Sequence, residues 1–154
     1  MRPLVVNIAM SLDGFIALED GSYDWIEAHG TDAYDSPKQF DNPKFFKSCD
    51  TVIMGRKAYE DCPLEDIEDY QDKHFYVASH QELKTSYPNL TFTKDIVAVV
   101  KEEKAKVGGP IWLFGGADLL QLMIEEDLID RYVIGIIPTI LGQGRPLFKG
   151  QSIE

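Results

Sequence analysis

Short apolar, β-branched runs alternate along this chain with stretches of helical spacing. Residues 4–10 form the first such run, and Asp13-Gly14 marks a turn after it. Residues 51–54, 74–79, 90–93, 111–114 and 131–137 read as further strands, those at 51–54 and 111–114 as buried, central ones. Residues 96–107 set Ile96, Val99, Val100 and Val107 at helical spacing between lysines and glutamates. Residues 117–126 form an amphipathic helix on Leu119, Leu120, Leu122 and Met123. Asn42-Pro43 resembles a helix cap followed by proline at the first helical position, with Phe45 and Phe46 packing that helix. Residues 57–61 open another helix, ended by Pro63. Strands alternating with helices predict an α/β domain around a mostly parallel sheet covered on both faces.

Residues 19–42 break this rhythm. They are rich in Gly, Asp, Ser and aromatics, and a segment so long without periodicity reads as a functional loop. Tyr23 and Trp25 within it are candidates to cover an aromatic ligand, and equally read as rim aromatics packed on the core. The acidic stretch at 65–72 reads as a solvated surface.

With 154 residues, 44% of them hydrophobic, the chain has the size of one domain with a substantial core, spanning 1–154. A net charge of −11 argues against general nucleic-acid binding, yet leaves room for an anionic cofactor held by a local arginine and backbone N–H groups. Cys49 and Cys62 lack CxxC spacing and read as reduced thiols of a cytoplasmic protein. The N-terminal residues resemble neither a signal peptide nor a membrane span. His29, His74 and His80 do not cluster with each other or with cysteine, so no metal site is expected.

The chemistry concentrates at two glycine motifs, MGR at 54–56 and FGG at 114–116, each where a strand hands over to a helix. Backbone N–H groups point outward there and the helix dipole favours negative charge. Gly55 permits close backbone approach, and Arg56 presents a fork of donors suited to phosphate. Gly115-Gly116 lets a ligand approach the main chain and tolerates unusual peptide geometry, including a cis bond. Taken singly, each motif is equally a plain turn. Taken together they suggest a dinucleotide phosphate site, although GxGxxG is absent. Gly142, Gly144 and Pro146 in ILGQGRPLF read as a tight loop between strands.

Four segments then resemble, in order, the dihydrofolate-reductase-like superfamily, and within it the reductase domain of the bifunctional riboflavin-biosynthesis enzyme. They are AMSLDGFIA at 9–17, VIMGRKAYE at 52–60, WLFGGADL at 112–119 and IPTILGQGRPLF at 137–148. The resemblance implies a three-layer α/β fold and NADPH as hydride donor. It places Ala9 beside the nicotinamide, and Asp13 and Gly14 at the start of a loop closing over it. Arg56 and Lys57 would meet the adenosine end and its phosphates, and Ser79 the 2′-phosphate region. Gly115, Gly116, Ala117 and Asp118 would wrap the pyrophosphate.

Departures from the pattern bear on the substrate. Folate-reducing members carry a carboxylate on the first helix, where this chain offers only Asp41, or Asp35 upstream. Riboflavin-pathway members carry a Lys where Asn7 stands, and an acid where Phe114 stands. Members also continue past the PLF segment into a final strand pair, which is expected to be absent here. The implied function is an NADPH-dependent reduction of a small heterocycle, carbonyl or imine, of the 5-amino-6-(5-phosphoribosylamino)uracil reductase type, by a homodimer. Alternatives are a divergent dihydrofolate reductase and a dinucleotide-binding module without catalysis. Asp13 and Asp41 are the candidate catalytic residues, and Trp25 the candidate substrate contact.

Overall fold

The computed structural model describes residues 1–26 and 40–150. Asp35 and His29 lie outside them. Among the described residues, eight strands and four helices run in the order β1 (Leu4–Ser11), β2 (Phe15–Ala17), α1 (Asn42–Ser48), β3 (Thr51–Gly55), α2 (Arg56–Asp61), β4 (His74–Ala78), β5 (Leu90–Thr93), α3 (Ile96–Ala105), β6 (Ile111–Gly115), α4 (Ala117–Glu125), β7 (Arg131–Ile137) and β8 (Arg145–Pro146). Six strands form one sheet in the order β5-β4-β3-β6-β1-β7, and every pairing in it is parallel. The chain moves outward from β3 to β5, then returns to insert β6 between β3 and β1. That reversal leaves a crevice beyond the carboxyl ends of β1, β3 and β6, where ligands of open α/β sheets bind.

Alternation along the strands divides the core in two. Leu4, Val6, Ile53, Ile111 and Leu113 face α3 and α4, packing on Val100, Leu120 and Met123. Val5, Val52, Met54 and Trp112 face the other way, onto Phe45, Leu64 and Phe75. Burial of each such Leu, Ile, Met or Phe contributes about 1.5–3 kcal/mol. Helices on both faces make the three-layer α/β arrangement that the pattern predicts.

Local chemistry sets the ends. Asp41, one residue before the predicted cap, accepts the Lys44 N–H at 3.1 Å and caps α1, with Pro43 in its first turn. Asp95 caps α3 in the same way through the Ala98 N–H. The acids of the 65–72 stretch are exposed as predicted, and the segment also folds into two 3-10 turns anchored by the buried Leu64 and Ile67. The small antiparallel pair β2-β8 carries no strand signal in the sequence, being only three and two residues long.

Candidate active site

The two glycine junctions touch. β3 and β6 are paired neighbours, so Gly55 and Gly115 end side by side. A Cβ on Gly55 would lie 3.3 Å from the Gly116 backbone N. The Gly115–Gly116 peptide is cis, and Gly115 has φ +129°. A Cβ on Gly116, by contrast, would meet nothing within 4 Å, because that position faces open space. The backbone here forms the floor of a cleft of about 900 Å³, near the upper end of the roughly 300–1,000 Å³ usual for ligand sites.

Ala9, Gly55, Arg56, Lys57, Gly115, Gly116, Ala117 and Asp118 all line this cleft. Arg56 is half-exposed and bonds Glu60 one helical turn on, at 2.9 Å. Asp118, in the first turn of α4, accepts from Lys149, and that bond holds its carboxyl below the usual carboxylate range. Together these residues supply what an anionic dinucleotide needs: an unobstructed backbone, the N-terminus of α4, and cations at the edge.

Five sequence-predicted residues stand elsewhere. Asp13 accepts from the Ser11 hydroxyl at 2.6 Å and from the Gly142 and Leu141 N–H groups, which keeps its carboxyl low and clasps the glycine-rich loop to the end of β1. Gly14 holds that turn at φ +91°, and its carbonyl accepts the Leu147 N–H at 2.9 Å. Asp41 is spent on capping α1. Ser79 is buried with its hydroxyl donating to the Gln81 carbonyl at 2.6 Å, while its neighbours Ala78 and His80 line the cleft in its place. Trp25 is buried beside the cleft, and Tyr23 and Ile26 present themselves to it instead. Asp13 and Asp41 therefore both accept from backbone N–H groups in this structure.

The other half of the cleft is aromatic, and little in the sequence marks it out. Phe46, Trp112 and Phe114 pack with ring centroids 4.6 Å apart (Phe46–Trp112) and 5.2 Å apart (Trp112–Phe114). The Trp112 indole N–H donates to the Asn7 carbonyl at 3.3 Å, and the Asn7 amide donates to Asn42 at 2.9 Å. β1 and β6 pair in register from Leu4 with Ile111 to Val6 with Leu113, so Asn7 and Phe114 come next as neighbours on one floor. Tyr23, Ile67 and Cys62 stand opposite, and burial pushes the Cys62 thiol up. Among the described residues no cluster of His, Cys, Asp and Glu could hold a metal ion. Nor is any helix among them long and apolar enough to cross a membrane.

The sequence and the fold can be compared with known proteins. The model of the RibD C-terminal domain matches residues 2–154. The chain belongs to the RibD C-terminal domain family. Two Bacillus subtilis (strain 168) relatives are both uncharacterised. YwjB is 39% identical over 161 residues, covering 99% of this chain and 86% of its own. YyaP is 29% identical over 159 residues, covering 96% and 80%. This RibD C-terminal domain also superposes on solved structures. A protein from Shewanella sp. PV-4 named for riboflavin biosynthesis matches at TM-score 0.70 and 27% identity, over 97% of this chain and 85% of that one. Dihydrofolate reductase from Enterococcus faecalis, complexed with NADP(H), matches at TM-score 0.61 and 16% identity, over 94% and 76%. Acinetobacter baumannii RibD matches equally well, at TM-score 0.61 and 16% identity, over all of this chain and 51% of that one. The last two show a shared fold. The RibD C-terminal domain thus has an α/β fold shared with dihydrofolate reductase.

Proposed function

We propose that this chain is an NADPH-dependent reductase acting on a small heterocycle, carbonyl or imine in the cytoplasm. The observation that carries this reading is the pair of touching glycine junctions, with open space above Gly116 where a side chain would otherwise stand. Gly116 and the N-terminus of α4 would hold the pyrophosphate, and Arg56 and Lys57 the outer phosphates. Ala9, small and half-buried on β1, leaves room for the nicotinamide. When bound, NADPH supplies a hydride from C4 to the carbon of a C=N or C=O bond, the nitrogen or oxygen taking a proton from solvent and NADP⁺ remaining. The chain's own contribution is orientation, with Trp112, Phe114 and Phe46 excluding water from one side of the reacting bond.

Titration with NADPH tests the binding half of this reading. Trp112 lines the cleft, so its fluorescence should be quenched, and the fold should gain about 2.7 kcal/mol at 100 times Kd. No change at millimolar NADPH or NADH would remove the proposal. Loss of NADPH absorbance with a panel of imines, dihydropterins and carbonyls tests the catalytic half. Binding without any turnover would instead favour a dinucleotide-binding module.

A further inference from the structure

An acid stands where the cofactor's phosphates are expected. Asp118 lies in the first turn of α4 and lines the cleft close to Gly116. α1 and α3 each begin at an aspartate whose side chain caps the helix. α4 begins at Gly116 and has no side-chain cap, so its first N–H groups remain as donors for a ligand. An unanswered carboxylate in that turn would oppose any anion seated there.

The carboxylate is answered from another part of the fold. Lys149, which also lines the cleft, donates to Asp118 across 31 residues of sequence. Leu147 fixes the approach of this segment. Its side chain is buried in the core beside α3 and α4, and its N–H donates to the Gly14 carbonyl at 2.9 Å. Lys149 follows two residues later. Arg56, by contrast, is occupied by Glu60 on its own helix, and Arg145 by Asp61 at 2.6 Å.

We infer that Lys149 is a positioning residue for the cofactor: by holding the Asp118 carboxylate, it removes the like charge that would otherwise face the pyrophosphate at the start of α4. This rests on the reading of the Gly116 turn as the cofactor's seat. Lys149 acts through Asp118, so its worth to the ligand depends on that acid being present. Both side chains are exposed, and such a pair contributes little to folding. The role is therefore separable from stability.

Calorimetric titration of NADPH into the parent, Lys149→Gln, Asp118→Asn and the double variant tests this, with melting temperatures as the check on folding. Lys149→Gln should bind roughly tenfold more weakly, as expected for one exposed unit charge left unscreened. That loss should shrink in 1 M salt. Asp118→Asn should bind at least as tightly as the parent. The double variant should return to within about twofold of the parent, because the acid that needed neutralising has gone. The inference is overturned if Lys149→Gln binds like the parent, if Asp118→Asn binds more weakly, or if the double variant stays as weak as Lys149→Gln. That last result would put Lys149 on the phosphates themselves. Should the parent fail to bind NADPH, the cofactor reading fails separately. Inorganic pyrophosphate titrated into the same four proteins then decides the inference, which falls if the parent does not bind it or the same rescue is missing.

Discussion

Any phosphate that reaches Arg56 must compete with Glu60, which holds the guanidinium at 2.9 Å on an exposed helical turn. An exposed pair of this kind contributes little to folding, so the arginine is free to exchange partners. Arg56→Ala should therefore leave the melting temperature nearly unchanged. It should weaken NADPH binding by about 1.5–3 kcal/mol, the worth of a hydrogen bond to a charged group. A larger loss for NADPH than for NADH would put Arg56 on the 2′-phosphate. Equal losses would put it on the pyrophosphate, and no loss would make it a surface residue. Gly116→Val asks the complementary question. The protein itself offers no atom within 4 Å of the new Cβ. A folded variant that has lost NADPH binding shows that the space belongs to the ligand. A variant that binds like the parent shows that the glycine pair is only a turn.

At the level of elements, α1 and α3 illustrate how small devices hold the site. Asp41 stands outside the cleft as the cap of α1, so Asp41→Asn, which retains a capping oxygen, should leave both stability and turnover unchanged. Asp41→Ala should cost roughly 1 kcal/mol in urea unfolding. A collapse of dihydrofolate turnover in Asp41→Asn would contradict this and restore the acid role. On α3, Glu103 meets Arg2 at 2.9 Å, Lys106 at 2.8 Å and the Tyr76 hydroxyl at 3.0 Å. Burial alone would push Glu103 up, but the bonds from Lys106 and Tyr76 and the charges of Lys106 and Arg2 hold its carboxyl below its ordinary 4.5. Its stabilising share is present above that ordinary value and disappears as pH falls through the depressed one. Urea midpoints followed down from neutral pH should fall less steeply in Glu103→Gln than in the parent, although the variant starts less stable, with the buried Arg2 left only Asp50 as an ionic partner. Parallel curves would show that Glu103 does not titrate on its own. The elements themselves were largely legible, because β-branched runs such as Val5-Val6 and periodic ones such as Leu119-Leu120-Met123 carry their period in the chain. The two glycine junctions were visible as motifs, but only their pairing in space, Met54 with Gly115, brings them together, since glycine at a strand end is as often a plain turn. The aromatic half was not legible. Trp112 and Phe114 sit in a strand buried on both faces, where no alternation tells a lining ring from a core one. Ser79 and Asp13 bond backbone here, since hydroxyls and carboxylates next to turns bind it as readily as ligands.

For the whole molecule, the outer edge of β7 is unpaired among the described residues and carries Tyr132 and Ile136, which are 46% and 58% exposed. Such an edge invites another strand, and we propose that it joins two copies of the chain as the expected homodimer. Equilibrium sedimentation should give twice the chain mass, and Ile136→Lys should return it to one; a monomeric parent would refute the proposal. The position of β1 has a different consequence, for biosynthesis. This strand leaves the ribosome before the rest of its sheet, yet both its neighbours there, β6 and β7, are made after all the others. Leu4 waits for Ile111 as a strand partner, and its N–H waits for the Asp130 carboxylate, 126 residues downstream. At roughly 5–20 residues per second, the apolar face of β1 stays unsheltered for many seconds on every nascent chain. The protein should therefore acquire no protease-resistant intermediate until residue 137 has cleared the exit tunnel. Stalled nascent chains of increasing length, probed by limited proteolysis, should switch from sensitive to resistant in one late step, and holdase chaperones should engage it throughout the interval before.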